Sequence, residues 1–172
     1  MKPFFEQVQP LPNKSYYLRE KQAPFLTMPF HYHPELELTL NVGNQGKRFI
    51  GNSVEYFDES DLVFIGSNLP HAFISDPEFN DSTEIKKSHS IVLQFNMDMF
   101  GGSFLQLPEL EKLNILLEKG KRGMWIGGDA KKRIIDKLTI LLSSSEMPSL
   151  LIILEILNEL SETKCALASK IS

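Results

Sequence analysis

The chain has 172 residues, 42% hydrophobic and 23% charged, the size and balance of one globular domain, which excludes a disordered tail, a collagen-like repeat or a stapled miniprotein. Its net charge of −4 leaves no domain-wide basic field to draw in nucleic acid or an anionic membrane. One cysteine, Cys165, excludes an internal disulfide, and neither a signal-peptide pattern nor a bilayer-length apolar run is present, so a soluble, cytoplasmic protein is expected.

The composition changes near residue 100. Before it, Phe, Tyr, Val and Ile alternate with turn residues at short intervals, the pattern of many short strands. Ser15–Arg19 is a short first strand. Leu36–Val42 alternates, with Leu36, Leu38 and Leu40 on one face and Glu37 and Thr39 on the other. The turn Gly43-Asn44-Gln45-Gly46 then predicts a hairpin in which Lys47–Gly51 runs back along Leu36–Val42. Val54–Phe57, Leu62–Ile65, Ala72–Ser75 and Ser90–Phe95 complete the strands, and Asp76–Ser88 reads as a long polar loop.

After Gly101-Gly102 the pattern turns helical. Pro108–Lys119 has proline at its start and Glu109 and Glu111 in its first turn. A second helix begins after Asp129, read as its N-cap. Lys131, Lys132 and Arg133 near its start read as a solvated face. A third, Pro148–Glu162, is apolar around most of its circumference between Leu150 and Leu157. The expected fold is therefore mainly β, a barrel or jelly roll over residues 1–100. A tail of about three helices over 101–172 packs on it as one structural unit.

The chemistry concentrates in His31-Tyr32-His33-Pro34-Glu35-Leu36-Glu37, read together with His71. On a strand, His31 and His33 point to the same side, about 7 Å apart, and two imidazoles so placed can share an ion. A straight strand would carry Glu37 about 20 Å from His31, so a shared site requires a bend, and Pro34 stands where the chain would break. Three histidines and a carboxylate suit a divalent transition metal, Zn, Fe, Mn or Ni, without choosing among them. Each histidine could equally be a satisfied polar residue of a β protein, the reading given to His89. Tyr32 and Glu35, beside the group, are either surface residues or an acid and base.

His31-x-His33-x-x-x-Glu37, with Gly43 beyond, resembles the first motif of the cupin superfamily, and Asp61 to His71 resembles the second. Ser60 replaces a usual glycine there, and Gly66 and Asn68 replace a proline and a glycine; both tolerate the positive φ of a tight turn. More closely, His31–Glu37, Arg48-Phe49-Ile50-Gly51 and Asp61–His71 are similar to the N-terminal sensor half of AraC-type transcriptional regulators. That resemblance implies a cupin-type β-barrel holding a small effector, a sugar or related metabolite, and C-terminal helices that form a homodimer. Nucleic acid would be contacted through a separate helix-turn-helix half rather than by these residues.

The effector site is thus expected inside the barrel, at His31, His33, Glu37 and His71. Arg48 is either an anion or hydroxyl anchor there or part of a rim salt bridge. No catalytic residue is assigned; the alternative is a metal-dependent cupin enzyme, a dioxygenase or sugar isomerase. Leu150, Ile153, Leu157 and Leu160 form a seam on the third helix, with Ile152 and Ile156 as a second stripe. This surface is expected to pair two chains, the alternative being burial within one subunit.

Overall fold

The computed structural model describes residues 2–23, 26–77, 88–164 and 166–167. Two sheets face each other in a jelly-roll-like arrangement. Among the described residues the smaller has five strands, in the order β1 (Phe4–Phe5), β3 (His31–Tyr32), β8 (His71–Ser75), β5 (Gly46–Ile50), β6 (Ser53–Phe57). The larger has six: β11 (Ala166–Leu167), β10 (Met124–Trp125), β7 (Ser60–Ile65), β4 (Leu36–Val42), β9 (Ser88–Phe95), β2 (Tyr16–Ala23). Three helices follow β9, α1 (Glu111–Gly120), α2 (Gly128–Leu142) and α3 (Glu146–Glu162), with β10 between the first two and β11 after the third.

The alternation of β4 sorts its side chains between two environments. Leu36, Leu38 and Leu40 join Leu62, Phe64, Ile91 and Leu93 on the outer face of the larger sheet, where the helices cover them. Ile134, Leu138 and Leu141 of α2 and Ile153, Ile156, Leu157 and Leu160 of α3 complete this core. Each such side chain is worth about 1.5–3 kcal/mol on burial. Glu37, Thr39 and Asn41 point the other way, between the sheets, and are also buried. A smaller apolar group, Leu26, Ile50, Phe57, Val63, Ile65 and Phe73, fills part of that interior.

Several expectations are corrected. Leu36–Val42 and Lys47–Gly51 do not form a hairpin. β4 pairs with β7 and β9, whereas β5 pairs with β6 and β8 in the other sheet. Both edges of β4 are taken, and Gly43, at φ 70°, turns the chain across to the opposite sheet, a conformation open to glycine. Asp129 lies in the first turn of α2, and Gly127 occupies the cap without a side-chain hydrogen bond. Lys131 is not part of a solvated face, because its Nζ donates to the Ser60 carbonyl at 2.5 Å. The proposed seam of α3 is core: Ile153, Leu157 and Leu160 are buried against the strands and helices of their own chain. Most of the polar loop Asp76–Ser88 (78–87) lies outside the described residues.

Candidate metal and ligand site

His31 and His33 lie on either side of a change of sheet. The chain leaves the smaller sheet at Tyr32 and enters the larger at Leu36, so the bend at Pro34 brings Glu37 back beneath the histidines. His33 Nε2 is 3.0 Å from Glu37 Oε2. His71 enters from β8, directly opposite His31 in register, and its Nε2 is 3.5 Å from the same carboxylate oxygen. One ligand atom from each of the four residues falls within 4.8 Å of all the others.

The turn that delivers His71 is held by backbone bonds at three points. Gly66 N–H donates to Gly120 O of α1 at 2.9 Å, Asn68 N–H to His33 O at 2.8 Å, and Gly51 N–H to Pro70 O at 2.8 Å. Asn68 adopts φ 58°, so it does supply the positive φ expected of it. Gly66 is needed for a different reason: a Cβ there would sit 2.6 Å from the Gly120 carbonyl carbon.

Each histidine has the same orientation. Nδ1 of His31 meets Pro29 O at 2.8 Å, Nδ1 of His33 meets Glu35 O at 3.2 Å and Nδ1 of His71 meets Leu69 O at 2.8 Å. A carbonyl only accepts, so all three Nδ1 atoms carry hydrogen. In the neutral rings the Nε2 lone pairs then converge on an ionised carboxylate. Acceptors facing acceptors repel unless a cation sits among them, and this outward hydrogen-bonding pattern is that of metal-bound imidazoles. Ligands about 2 Å from one ion stand roughly 3–4 Å apart, as the His33–Glu37 and His71–Glu37 pairs do. The donor set therefore fits a divalent transition metal.

Electrostatics agree. Burial opposes ionisation of Glu37, yet His71 and His33 hold its pKa well below the usual carboxylate range. Burial likewise works against a charge on His71, but the facing Glu37 raises its pKa. Burial, followed by the nearby His71, lowers that of His31. Positive charge is therefore favoured beside Glu37 and disfavoured at His31.

Three partners of the group were not anticipated from the sequence. Gln94 Nε2 donates to Glu37 Oε2 at 2.8 Å and lies 3.1 Å from His33 Nε2. Thr39 donates its hydroxyl to Glu37 Oε1. Glu6, on the arm after β1, places Oε2 3.2 Å from His31 Nε2. Thr39 sits two residues from Glu37 on the same face, a signal the alternation already carried. Gln94 and Glu6 become neighbours only through strand pairing.

His31, Glu37 and His71 line a cavity of about 440 Å³ between the sheets, whose wall also includes Tyr17, Arg19, Lys21, Met28, Asn41 and Ser90. His33 stands behind them, outside its lining. Arg48 is not in this cavity. It binds Asp61 at 2.5 Å and Glu55 at 2.6 Å and faces a separate hollow beside Phe57 and Trp125. Its pairing with two acids excludes it as an anchor for a ligand at the histidines and matches the salt-bridge alternative.

No protein-family model matches the sequence, and no curated protein matches it. Among solved structures it is similar to ToxT from Vibrio cholerae O395 bound to (E)-4-(8-methylnaphthalen-1-yl)but-3-enoic acid, with a TM-score of 0.49, 8% identity, 83% of this chain and 54% of that chain covered. A second ToxT structure from Vibrio cholerae, in a P21 crystal form, gives a TM-score of 0.47 and 9% identity over 87% of this chain and 59% of that one. The chain spans little more than half the length of these structures.

Proposed function

We propose that the chain is the effector-sensing part of an AraC-type transcriptional regulator. In this reading a small molecule is held in the barrel cavity beside a divalent metal bound by His31, His33, Glu37 and His71. The observation that supports it best is the cavity of about 440 Å³, which lies between the sheets while three helices are fastened to the far side of the larger one. Occupancy inside could then be felt outside. The DNA-reading half, the metal and the homodimer all belong to this proposal, as does the cupin kinship drawn from the two motifs. A bound metal would supply a Lewis-acidic contact for an oxygen of the effector. Thr39 and Gln94 hold the carboxylate that faces it, and Glu6 closes the cavity over His31.

One observation favours an enzyme instead: the acceptor-only group opens directly into the cavity, as a metal-dependent cupin enzyme would require. The two readings separate cleanly in one experiment. Protein purified without chelator is expected to carry about one equivalent of a divalent transition metal, and His31→Ala/His71→Ala is expected to lose it in elemental analysis. Occupancy falls as pH drops below the histidine range, because the ligating imidazoles must be neutral. Metal-loaded protein incubated with a metabolite mixture is expected to release its bound compound unchanged, as read by mass spectrometry. Catalytic conversion of that compound would replace the sensor reading with the enzyme.

A further inference from the structure

The first strand sets one more carboxylate against the histidines. β1 runs parallel to β3, with Phe4 opposite His31 and Phe5 opposite Tyr32. Side chains alternate along a strand, so Phe4 and Glu6 turn inward on the side of His31 and His33, and Phe5 turns outward with Tyr32. The contacts follow that order. Between centroids, the Phe4 ring lies 5.8 Å from that of His31 and the Phe5 ring 5.6 Å from that of Tyr32. Phe4 N–H donates to Phe30 O at 3.1 Å and Glu6 N–H to Tyr32 O at 2.9 Å. Glu6 thereby reaches the cavity, where it and Glu37 are the acids among the described lining residues.

Two features of Glu6 call for a cation. The first is its contact with His31. That ring gives its Nδ1 hydrogen to Pro29 O, so in the neutral form it turns the Nε2 lone pair toward Glu6 Oε2, 3.2 Å away. Two acceptors at that distance repel without a positive charge between them. The second is charge balance. Glu37 supplies one negative charge to a divalent ion held by neutral imidazoles, which leaves one positive charge buried and uncompensated, a costly state. A second carboxylate cancels it. Glu6 is not one of the four residues whose ligand atoms fall within 4.8 Å of one another, so ligation takes a turn of its side chain, which at 36% exposure has room to make it.

We infer that Glu6 is a fifth ligand of the metal, which thereby ties the N-terminal segment to the cavity wall. This rests on the metal site of the effector-sensing reading and adds a second oxygen donor to it. Zinc accepts a fifth ligand where one is offered. The segment's other anchors at the site are slight: a two-residue pairing with β3 and two rings, Phe4 and Phe5, that stay 47% and 55% exposed. A bond from Glu6 to the ion then governs how firmly Glu6 to Gln9, which line the cavity, are held.

Titrations of the full chain with Zn(II) and Co(II) test the assignment. Glu6→Ala is expected to weaken Zn(II) about tenfold or more in competition with a chelating dye, the scale on which the loss of one supporting group at a metal site is felt. It is also expected to intensify the visible absorption of the Co(II) form, because four-coordinate Co(II) absorbs more strongly than five-coordinate. In the wild type, Zn(II) should slow hydrogen exchange at the amides of Glu6 to Gln9 about tenfold, read by mass spectrometry. In Glu6→Ala the same amides should not respond to the ion. A Co(II) spectrum unchanged by the substitution would reduce Glu6 to a neighbouring charge and overturn the assignment. Equal Zn(II) affinity in the two proteins, or wild-type exchange indifferent to Zn(II), would overturn it as well. The metal site itself is judged separately. If wild type takes up Zn(II), His31→Ala/His71→Ala loses it and Glu6→Ala matches wild type, that site stands and the fifth ligand alone falls. If wild type takes up no Zn(II), both fall.

Discussion

Glu37 and Asp61 are carboxylates buried on adjacent strands, and their surroundings drive them in opposite directions. Glu37 accepts from Thr39 and Gln94, faces two imidazoles and stays ionised. Asp61 shares Arg48 with Glu55, and burial pushes its pKa up to about 6 against the pull of Arg48 and Lys131. The folded chain therefore holds the Asp61 proton more tightly than the unfolded chain. Its contribution to stability is present below the unfolded value, near 4, and is lost as pH rises through about 6. Between pH 5 and 7 the wild type is expected to lose about 1 kcal/mol more unfolding free energy than Asp61→Asn. Urea titrations at the two pH values measure this, and equal slopes would remove Asp61 from the account. That His31, His33, Glu37 and His71 come together was legible because a two-residue spacing, a proline and a later turn carry them. Gln94 was not, since a contact spanning 57 positions exists only once β4 and β9 have chosen each other. Arg48 was legible as a charge but not as a pair, because Asp61 reaches it from the opposite sheet.

The strands show where local signals end. The positions of β4, β7 and β9 could be read to within a few residues from alternation and turns, yet the pairing of β4 with its chain neighbour could not. A tight turn with glycines at both ends is compatible with a hairpin and with a crossing to another sheet. What decides is that Leu36 to Asn41 are buried on both faces, which makes β4 a central strand with its own partners. Of the four two-residue strands, β1, β10 and β11 carry too little pattern to be seen. In α3 the all-round apolar character left core and dimer seam both open, and burial resolves it: Ile153 and Leu157 are 0% and 1% exposed. Ile153→Glu/Leu157→Glu is therefore expected to unfold the chain, each buried charge costing several kcal/mol. Circular dichroism and a thermal melt read the result; a folded double variant would return these residues to an interface.

At the scale of the molecule, the helices use their apolar faces on the larger sheet and leave a smaller set outside. Ile140, Met147 and Leu151 are 56%, 62% and 48% exposed, around the junction of α2 and α3. In the sensor reading, self-association uses this face. Met147→Glu/Leu151→Glu is expected to stay folded and to shift a sedimenting dimer to monomer; a wild type already monomeric at tens of micromolar, a typical weak-dimer range, would remove the dimer. The contact of Gly66 with Gly120 gives the two halves of the molecule a mechanical relation. Main chain meets main chain there, through one 2.9 Å hydrogen bond, with no rotatable side chain between them to absorb displacement. The turn on one side carries His71, and the residue on the other ends α1. Backbone contact alone sets the spacing of turn and helix there, so any residue larger than glycine at position 66 would have to push the His71 turn and the end of α1 apart.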